Sequence, residues 1–225
     1  MQIRIDQVGV ERAPVIVIDN VWSDPQSLVD EAARRTDFSV RSLYYPGVRS
    51  NAPKDYAQGM LTMLEDAIRA TFGIAGELII TDSTFSITAT PPEKLVPFQR
   101  VPHFDSVDPN LIAVLHYLCD RGGTSFYRHR RTGIEIVTAE KQENYIRAVN
   151  EDVREHGMPS PKYVEDSTDL FERTAKYDAV FNRAVIYRGS MLHSVNVPPD
   201  FVPDLNPRTA RLSLNTFITA KPRSG

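Results

Sequence analysis

The chain has 225 residues, 41% of them hydrophobic and 24% charged, a mixture suited to one domain with a full core. A net charge of −3 leaves no basic footprint, so nucleic acid is not an expected partner. The single cysteine, Cys119, excludes an intramolecular disulfide and a cysteine-rich zinc or iron–sulfur site.

The opening stretch, MQIRIDQVGVERAP, has no long apolar run and no small-residue cleavage pattern, so no secretory leader is expected. No segment approaches the ~18 apolar residues of a membrane helix, which makes a reducing cytoplasm the default expectation and a membrane an unexpected partner. Residues 15–18, VIVI, predict a buried strand. Asp24 then suits a helix cap and Pro25 its first position. Leu28, Val29, Ala32 and Ala33 give that helix one apolar face to about Arg35. Residues 43–53, LYYPGVRSNAP, read as a loop with exposed aromatics. A second helix is predicted from about Lys54 to Phe72, where Met60, Leu64, Ile68 and Phe72 recur every four residues and Gly73 supplies the stop.

From Glu77 the pattern turns to strands: LIITDSTFSITAT, a PPEK turn, then VPFQ. The near-continuous apolar run at 111–118, LIAVLHYL, predicts a central strand buried on both faces. TSFYRHR and IEIV are expected to pair as a hairpin about Arg131-Thr132-Gly133. Residues 139–156 read as a helix with Tyr145, Ile146, Val149 and Val153 inward, and a short helix is expected at Asp169–Lys176. Strands resume at AVFNRAVIY, LHSVNV and RLSLNTFI. No repeat or linker divides the chain, so residues 1–225 are read as one domain with a helical insert at about 138–178. The class is mainly β: a jelly-roll type barrel backed by N-terminal helices.

His103 and Asp105 are two positions apart, and on an extended segment both side chains point to one face. With His193 from a distant strand they could close one triangular face of an octahedral metal, an arrangement suited to non-haem Fe(II) with positions left open for an organic co-substrate and O₂. A His-x-Asp pair is also an ordinary surface feature, and His193 read alone is an ordinary core or turn histidine. Arg211 and Ser213 share a face of the last strand and could hold a carboxylate, the guanidinium fork giving two hydrogen bonds and the hydroxyl one. The plainer reading is a surface arginine on an edge strand, and Arg208 competes for the role. Tyr44, Tyr45 and Arg49 lie on the 43–53 loop, where residues often contact ligands, and ordinary surface packing explains them equally well. Arg128-His129-Arg130-Arg131 reads first as a solvated hairpin end and otherwise as a basic rim for an anionic substrate. His116 reads as a core residue, and His156 as a cation closing a helix.

Taken in order, these motifs resemble the Fe(II)/2-oxoglutarate-dependent dioxygenases, in particular the prolyl 4-hydroxylase-like branch. The opening VIVIDNVWSDPQSLVDEA is similar to that branch's strand-and-helix entry. His103-x-Asp105 matches its proximal ligand pair, LHYLCDRGGTSFY its Tyr-Leu strand and Gly-Gly-x-x-x-Phe, FNRAVIYRGSMLHSV its strand, turn and distal histidine, and Arg211-x-Ser213 its co-substrate motif. The likeness spans residues 15–218 and departs in a longer interval from His193 to Arg211 and in the 138–178 insert.

The resemblance implies a double-stranded β-helix, the cupin-like barrel. It implies that His103, Asp105 and His193 ligate Fe(II), that Arg211 pairs with the distal carboxylate of 2-oxoglutarate, and that Tyr117 and Ser213 add hydrogen bonds to it. O₂ is the remaining co-substrate. The substrate would be a small molecule, amino acid or peptide residue, contacted by Tyr45, Arg49 and Arg128. A carboxylate at Asp105 points to hydroxylation, since a halide would need its coordination position. Two rivals remain: a cupin-like metal barrel with other chemistry, which would need no arginine anchor, and a non-catalytic binding protein that keeps the barrel. The oligomeric state is not legible.

Overall fold

The structure, a computed structural model, describes residues 2–198 and 200–221. Its elements in chain order are β1 (Gln2–Val8), β2 (Ala13–Asp19), α1 (Pro25–Arg34), β3 (Gly47–Asn51), α2 (Lys54–Phe72), β4 (Glu77–Thr88), β5 (Ile112–Tyr117), β6 (Gly123–His129), α3 (Ala139–His156), β7 (Phe171–Asp178), β8 (Arg183–Arg188), β9 (His193–Asn196) and β10 (Arg211–Lys221). Seven strands form an antiparallel sheet in the order β1-β2-β8-β5-β10-β4-β3. The other three form a second sheet, β7-β6-β9. The two sheets share an apolar layer and make the double-stranded β-helix expected from the sequence. Among the described residues no helix is long and apolar enough to cross a membrane.

Strand alternation builds two layers from one sheet. On β5, Ile112, Val114 and His116 face α1 and α2, while Ala113, Leu115 and Tyr117 face the smaller sheet. That double burial is why LIAVLHYL reads as a near-continuous apolar run, and β5 is indeed the middle strand of seven. The helix side is filled by Leu28, Val29 and Ala32 of α1 and by Met60, Leu64, Ile68 and Phe72 of α2. Each large side chain removed from water there contributes about 1.5–3 kcal/mol. Both helices end as the sequence indicates: Asp24 accepts a hydrogen bond from Ser27 N at 3.2 Å, and Gly73 takes the left-handed conformation at φ 65°.

Several expectations fail for identifiable reasons. Residues 43–53 are not all loop, because Gly47–Asn51 add the edge strand β3 to β4. VPFQ is a 3₁₀ turn over Pro97–Arg100 rather than a strand; proline lacks the N–H a ladder needs and suits the first position of a helical turn. IEIV meets TSFYRHR only at the turn, where His129 N donates to Ile134 O at 2.9 Å. The tight turn at Gly133 is present, but the chain then crosses to the 190–192 segment, with Leu192 N donating to Glu135 O at 2.8 Å and Val137 N to Ser190 O at 2.8 Å. The buried Glu135 carboxylate holds it there by accepting from Val10 N and Glu11 N. The expected short helix at Asp169–Lys176 is instead mostly strand β7, which starts at Phe171 and pairs with β6. On α3 the buried face is Tyr145, Ala148 and Asp152, whereas Ile146 is exposed. Strand β1, unmarked in the sequence reading, is an edge strand whose Ile3 and Ile5 stay exposed.

His116 ties these layers together. Its Nε2–H donates to Asn182 Oδ1 at 3.0 Å and its Nδ1 accepts from the Tyr56 hydroxyl at 3.1 Å. Asn182 in turn bonds the backbone of Trp22 in both directions. Burial pushes His116 down to about 4 from 6.5, against the opposing hydrogen bond to Asn182. The unfolded chain therefore takes up a proton that the folded one refuses, and stability falls as pH drops from 6.5 toward 4. The expected loss between about pH 7.5 and about pH 5 is about 2 kcal/mol from this residue. Urea unfolding at the two pH values should show a shallower acid dependence in His116→Gln than in the parent; an unchanged dependence would remove His116 as its source.

Candidate active site

His103 and Asp105 lie on an extended segment outside any regular strand, and backbone pairing sets their position. His103 N donates to His193 O at 2.9 Å and His193 N to His103 O at 2.8 Å, an isolated antiparallel bridge. Asp105 N donates to Gly189 O at 2.7 Å. Both residues are thus pinned to the turn and first residue of the β8–β9 connection. Space at Gly189 is tight: a Cβ there would stand 2.8 Å from Leu111 Cδ2 and 3.3 Å from Asp105 Cβ.

The three side chains converge. His103 Nε2 is 3.9 Å from Asp105 Oδ1, His193 Nε2 is 3.6 Å from Asp105 Oδ2, and one donor atom from each lies within 4.8 Å of the other two. Donors on bonds of about 2.1 Å at right angles would stand about 3 Å apart, so small rotamer movements suffice to hold one divalent ion. The donor chemistry fits as well. His193 Nδ1–H donates to Met191 O at 2.9 Å, which leaves Nε2 with its lone pair facing Asp105. Burial, with the nearby His193 and Arg49, holds His103 well below its ordinary value and so neutral. Burial raises Asp105, and His193 and Arg49 oppose that rise. Nitrogen and oxygen donors with no sulfur suit iron(II).

A cavity of about 800 Å³ opens from this triad between the sheets. Arg211 lies deep in it, 4% exposed, and donates to Asn196 O at 3.2 Å, Thr88 Oγ1 at 3.1 Å and Gly123 O at 2.6 Å. These bonds use three of the five guanidinium N–H groups and leave two for an anion. Ser213 is beside it, with Oγ donating to Asn215 Oδ1 at 2.8 Å. Arg208 is elsewhere, exposed and paired with Asp30. Tyr117 departs from expectation: its hydroxyl is spent on Thr124 Oγ1 at 2.7 Å, and Thr124, not Tyr117, lines the cavity. The double glycine of the sequence closes this end. A Cβ on Gly122 would meet Asn196 O at 2.1 Å, and one on Gly123 would meet Tyr177 O at 2.1 Å.

Tyr45 and Arg49 line the same cavity, with the Arg49 guanidinium 4.3 Å from the Tyr45 ring centre. So do Tyr145, Ile146 and Val149 of α3, which brings the 43–53 segment and the 138–178 segment to one cavity. Arg128 is not among the lining residues; it is paired with Glu172 on β7, because β6 is covered on that side by β7. His129 is fully buried and not a solvated hairpin end, with Nε2 2.7 Å from Asp152 Oδ2. Asp152, Glu155 and His156 form a second close group, but Arg131 pairs with Asp152 and Glu155. The sequence reading missed Tyr187, 1% exposed and 4.9 Å from the His193 ring between centres, and Phe98 at the mouth. Alternation on β8 would have found Tyr187, since Val185 two residues before it already faces inward.

The double-stranded β-helix is a fold that this chain shares with solved structures of low sequence identity. Among solved structures the chain is similar to HygX from Streptomyces hygroscopicus with nickel and 2-oxoglutarate bound, at 11% identity and TM-score 0.52 over 93% of this chain and 84% of that one. It is similar as well to SnoN, a non-heme alpha-ketoglutarate-dependent epimerase from nogalamycin biosynthesis, at 11% identity and TM-score 0.53 over 93% and 78%. SnoK, a carbocyclase of the same biosynthesis, gives 10% identity and TM-score 0.50 over 92% and 79%. No curated protein matches the chain. Residues 1–218 match a family of unknown function, DUF6445, and the chain belongs to that family.

Two close groups of potential ligands can be separated directly. Isothermal titration with Ni(II) should show one site, weakened at least ~100-fold in His193→Ala and unchanged in His156→Ala. Loss on changing His156 instead would move the site to α3.

Proposed function

We propose that this protein is an Fe(II)- and 2-oxoglutarate-dependent oxygenase that hydroxylates a small molecule, an amino acid or a peptide residue. The observation that carries the reading is the pairing, within one cavity, of the His103–Asp105–His193 donors with a buried arginine that still has two free N–H groups. When bound, iron, 2-oxoglutarate and O₂ supply an oxidant through decarboxylation of the co-substrate to succinate and CO₂, with one oxygen atom going to succinate and one to the substrate.

The chain's own residues prepare that chemistry. His103, Asp105 and His193 would hold the ion through two imidazole nitrogens and a carboxylate oxygen. The Met191 carbonyl fixes the His193 tautomer through Nδ1. Arg211 would take the distal carboxylate of the co-substrate in a bidentate contact, with Ser213 and Thr124 as neighbouring hydroxyls. Tyr187 and Leu115 give the cavity an apolar wall, and Phe126 packs edge-on against Tyr187 at 4.9 Å between ring centres. Asp105 occupies the position a halide would need, which favours hydroxylation. A reducing cytoplasm suits the protein, because it keeps iron ferrous and Cys119 free.

The test is turnover of the iron-loaded protein with 2-oxoglutarate, read as succinate formed against a substrate panel. Arg211→Ala should weaken 2-oxoglutarate binding by about 30-fold or more, as expected from removing one partner of a buried charge pair, with Ni(II) affinity unchanged. Unchanged co-substrate affinity in that variant would place the anchor elsewhere and remove the observation on which the reading rests.

A further inference from the structure

Arg49 is the one cation of the cavity wall that the oxygenase reading leaves unused. It stands on β3 opposite Ser86 of β4, and Ser86 stands opposite Ser213 of β10, so the three share a face that looks into the cavity. Its guanidinium lies against the Tyr45 ring, and its Nε is buried with no hydrogen-bond partner. A buried donor left unpaired is costly, and nearly all such groups in folded proteins find an acceptor. Asp105 is the only carboxylate lining the cavity among the described residues.

Charge accounting sharpens the point. A divalent ion is balanced by Asp105 and by the chelating carboxylate of 2-oxoglutarate. Arg211 is balanced by the distal carboxylate. Arg49 then keeps one positive charge with nothing to meet it, in a space walled mainly by apolar groups. Farther out, Tyr44 and Phe98 are both strongly exposed, at 66% and 60%, yet their rings pair at 5.6 Å and both line the mouth. Gln99 holds the two segments together by donating to Leu43 O at 2.8 Å. Two large aromatic faces kept in water beside a cavity mark a contact surface for an apolar ligand body.

We propose that Arg49, with the Tyr44–Phe98 pair, forms a substrate subsite for a small organic carboxylate that carries an apolar or aromatic body. The guanidinium takes the carboxylate and supplies the acceptor Nε lacks, and the aromatic pair covers the body, which is thereby held beside the metal donors. This assignment rests on the oxygenase reading above, and its test keeps the two apart.

The wild-type protein is loaded with Ni(II) and saturating 2-oxoglutarate, which fills Arg211, and is titrated with 3-phenylpropionate, its neutral amide 3-phenylpropanamide and the cation 3-phenylpropylamine. The acid should bind at least ~10-fold more tightly than the amide, and the amine more weakly still. Arg49→Gln should bring the acid to the level of the amide, while Arg49→Lys, which keeps the charge without the fork, retains part of the preference. Phe98→Ala should weaken acid and amide alike. All three variants should still bind nickel and 2-oxoglutarate. The proposal is overturned if the wild-type protein shows no preference for the acid, whether through equal binding or none. It is overturned equally if the preference survives in Arg49→Gln, or if that variant loses 2-oxoglutarate, which would make Arg49 a co-substrate anchor. Failure of the wild-type protein to bind nickel or 2-oxoglutarate before any probe is added would instead sink the oxygenase reading, and this subsite with it.

Discussion

Strand β10 must satisfy two opposite environments with alternate residues. Leu212, Leu214 and Ile218 enter the apolar layer under α1 and α2, and Arg211, Ser213 and Asn215 enter the space between the sheets. Burying a guanidinium is costly unless acceptors surround it. Here they come from β6, β9 and β4, through Gly123 O, Asn196 O and Thr88 Oγ1. Arg211 therefore clasps both sheets at the end where they close, and the two glycines beside it exist because that closure brings backbones within van der Waals reach. The cavity is the space this closure leaves.

The same alternation explains why the cavity is chemically lopsided. Its β8–β5 side is built from Tyr187 and Leu115 and is continuous with the apolar layer between the sheets. Its β10–β4–β3 side carries hydroxyls and the two arginines. The smaller sheet has only three strands to the larger sheet's seven, and the 43–53 segment and α3 add lining to the cavity, Tyr44, Tyr45 and Arg49 from one and Tyr145, Ile146 and Val149 from the other.

How much was legible in the sequence followed from how local each cause is. The helices α1 and α2 were readable because their caps and four-residue apolar spacing lie within the segment itself. Strand β5 was readable because burial on both faces makes it apolar at nearly every position, His116 excepted. Strand β7 was not: Phe171–Asp178 is rich in Glu, Arg, Ala and Lys, all good helix formers, and only pairing with β6 makes it extended. His129 was misjudged for a similar reason, since its partner Asp152 arrives from a helix that covers it. The donor triad could be read from motif order, but the local pairing that positions it could not. Tyr117 shows the limit of carrying a role across: the residue is where expected, and its neighbour Thr124 takes its hydroxyl.

The bridge between His103 and His193 joins parts of the chain far apart in sequence, and the Asp105 bond to Gly189 does the same. Contacts of such high sequence separation form late in assembly, after shorter loops have closed. The three donors meet only when these distant segments are paired, so a divalent ion held by them would favour the closed barrel by mass action.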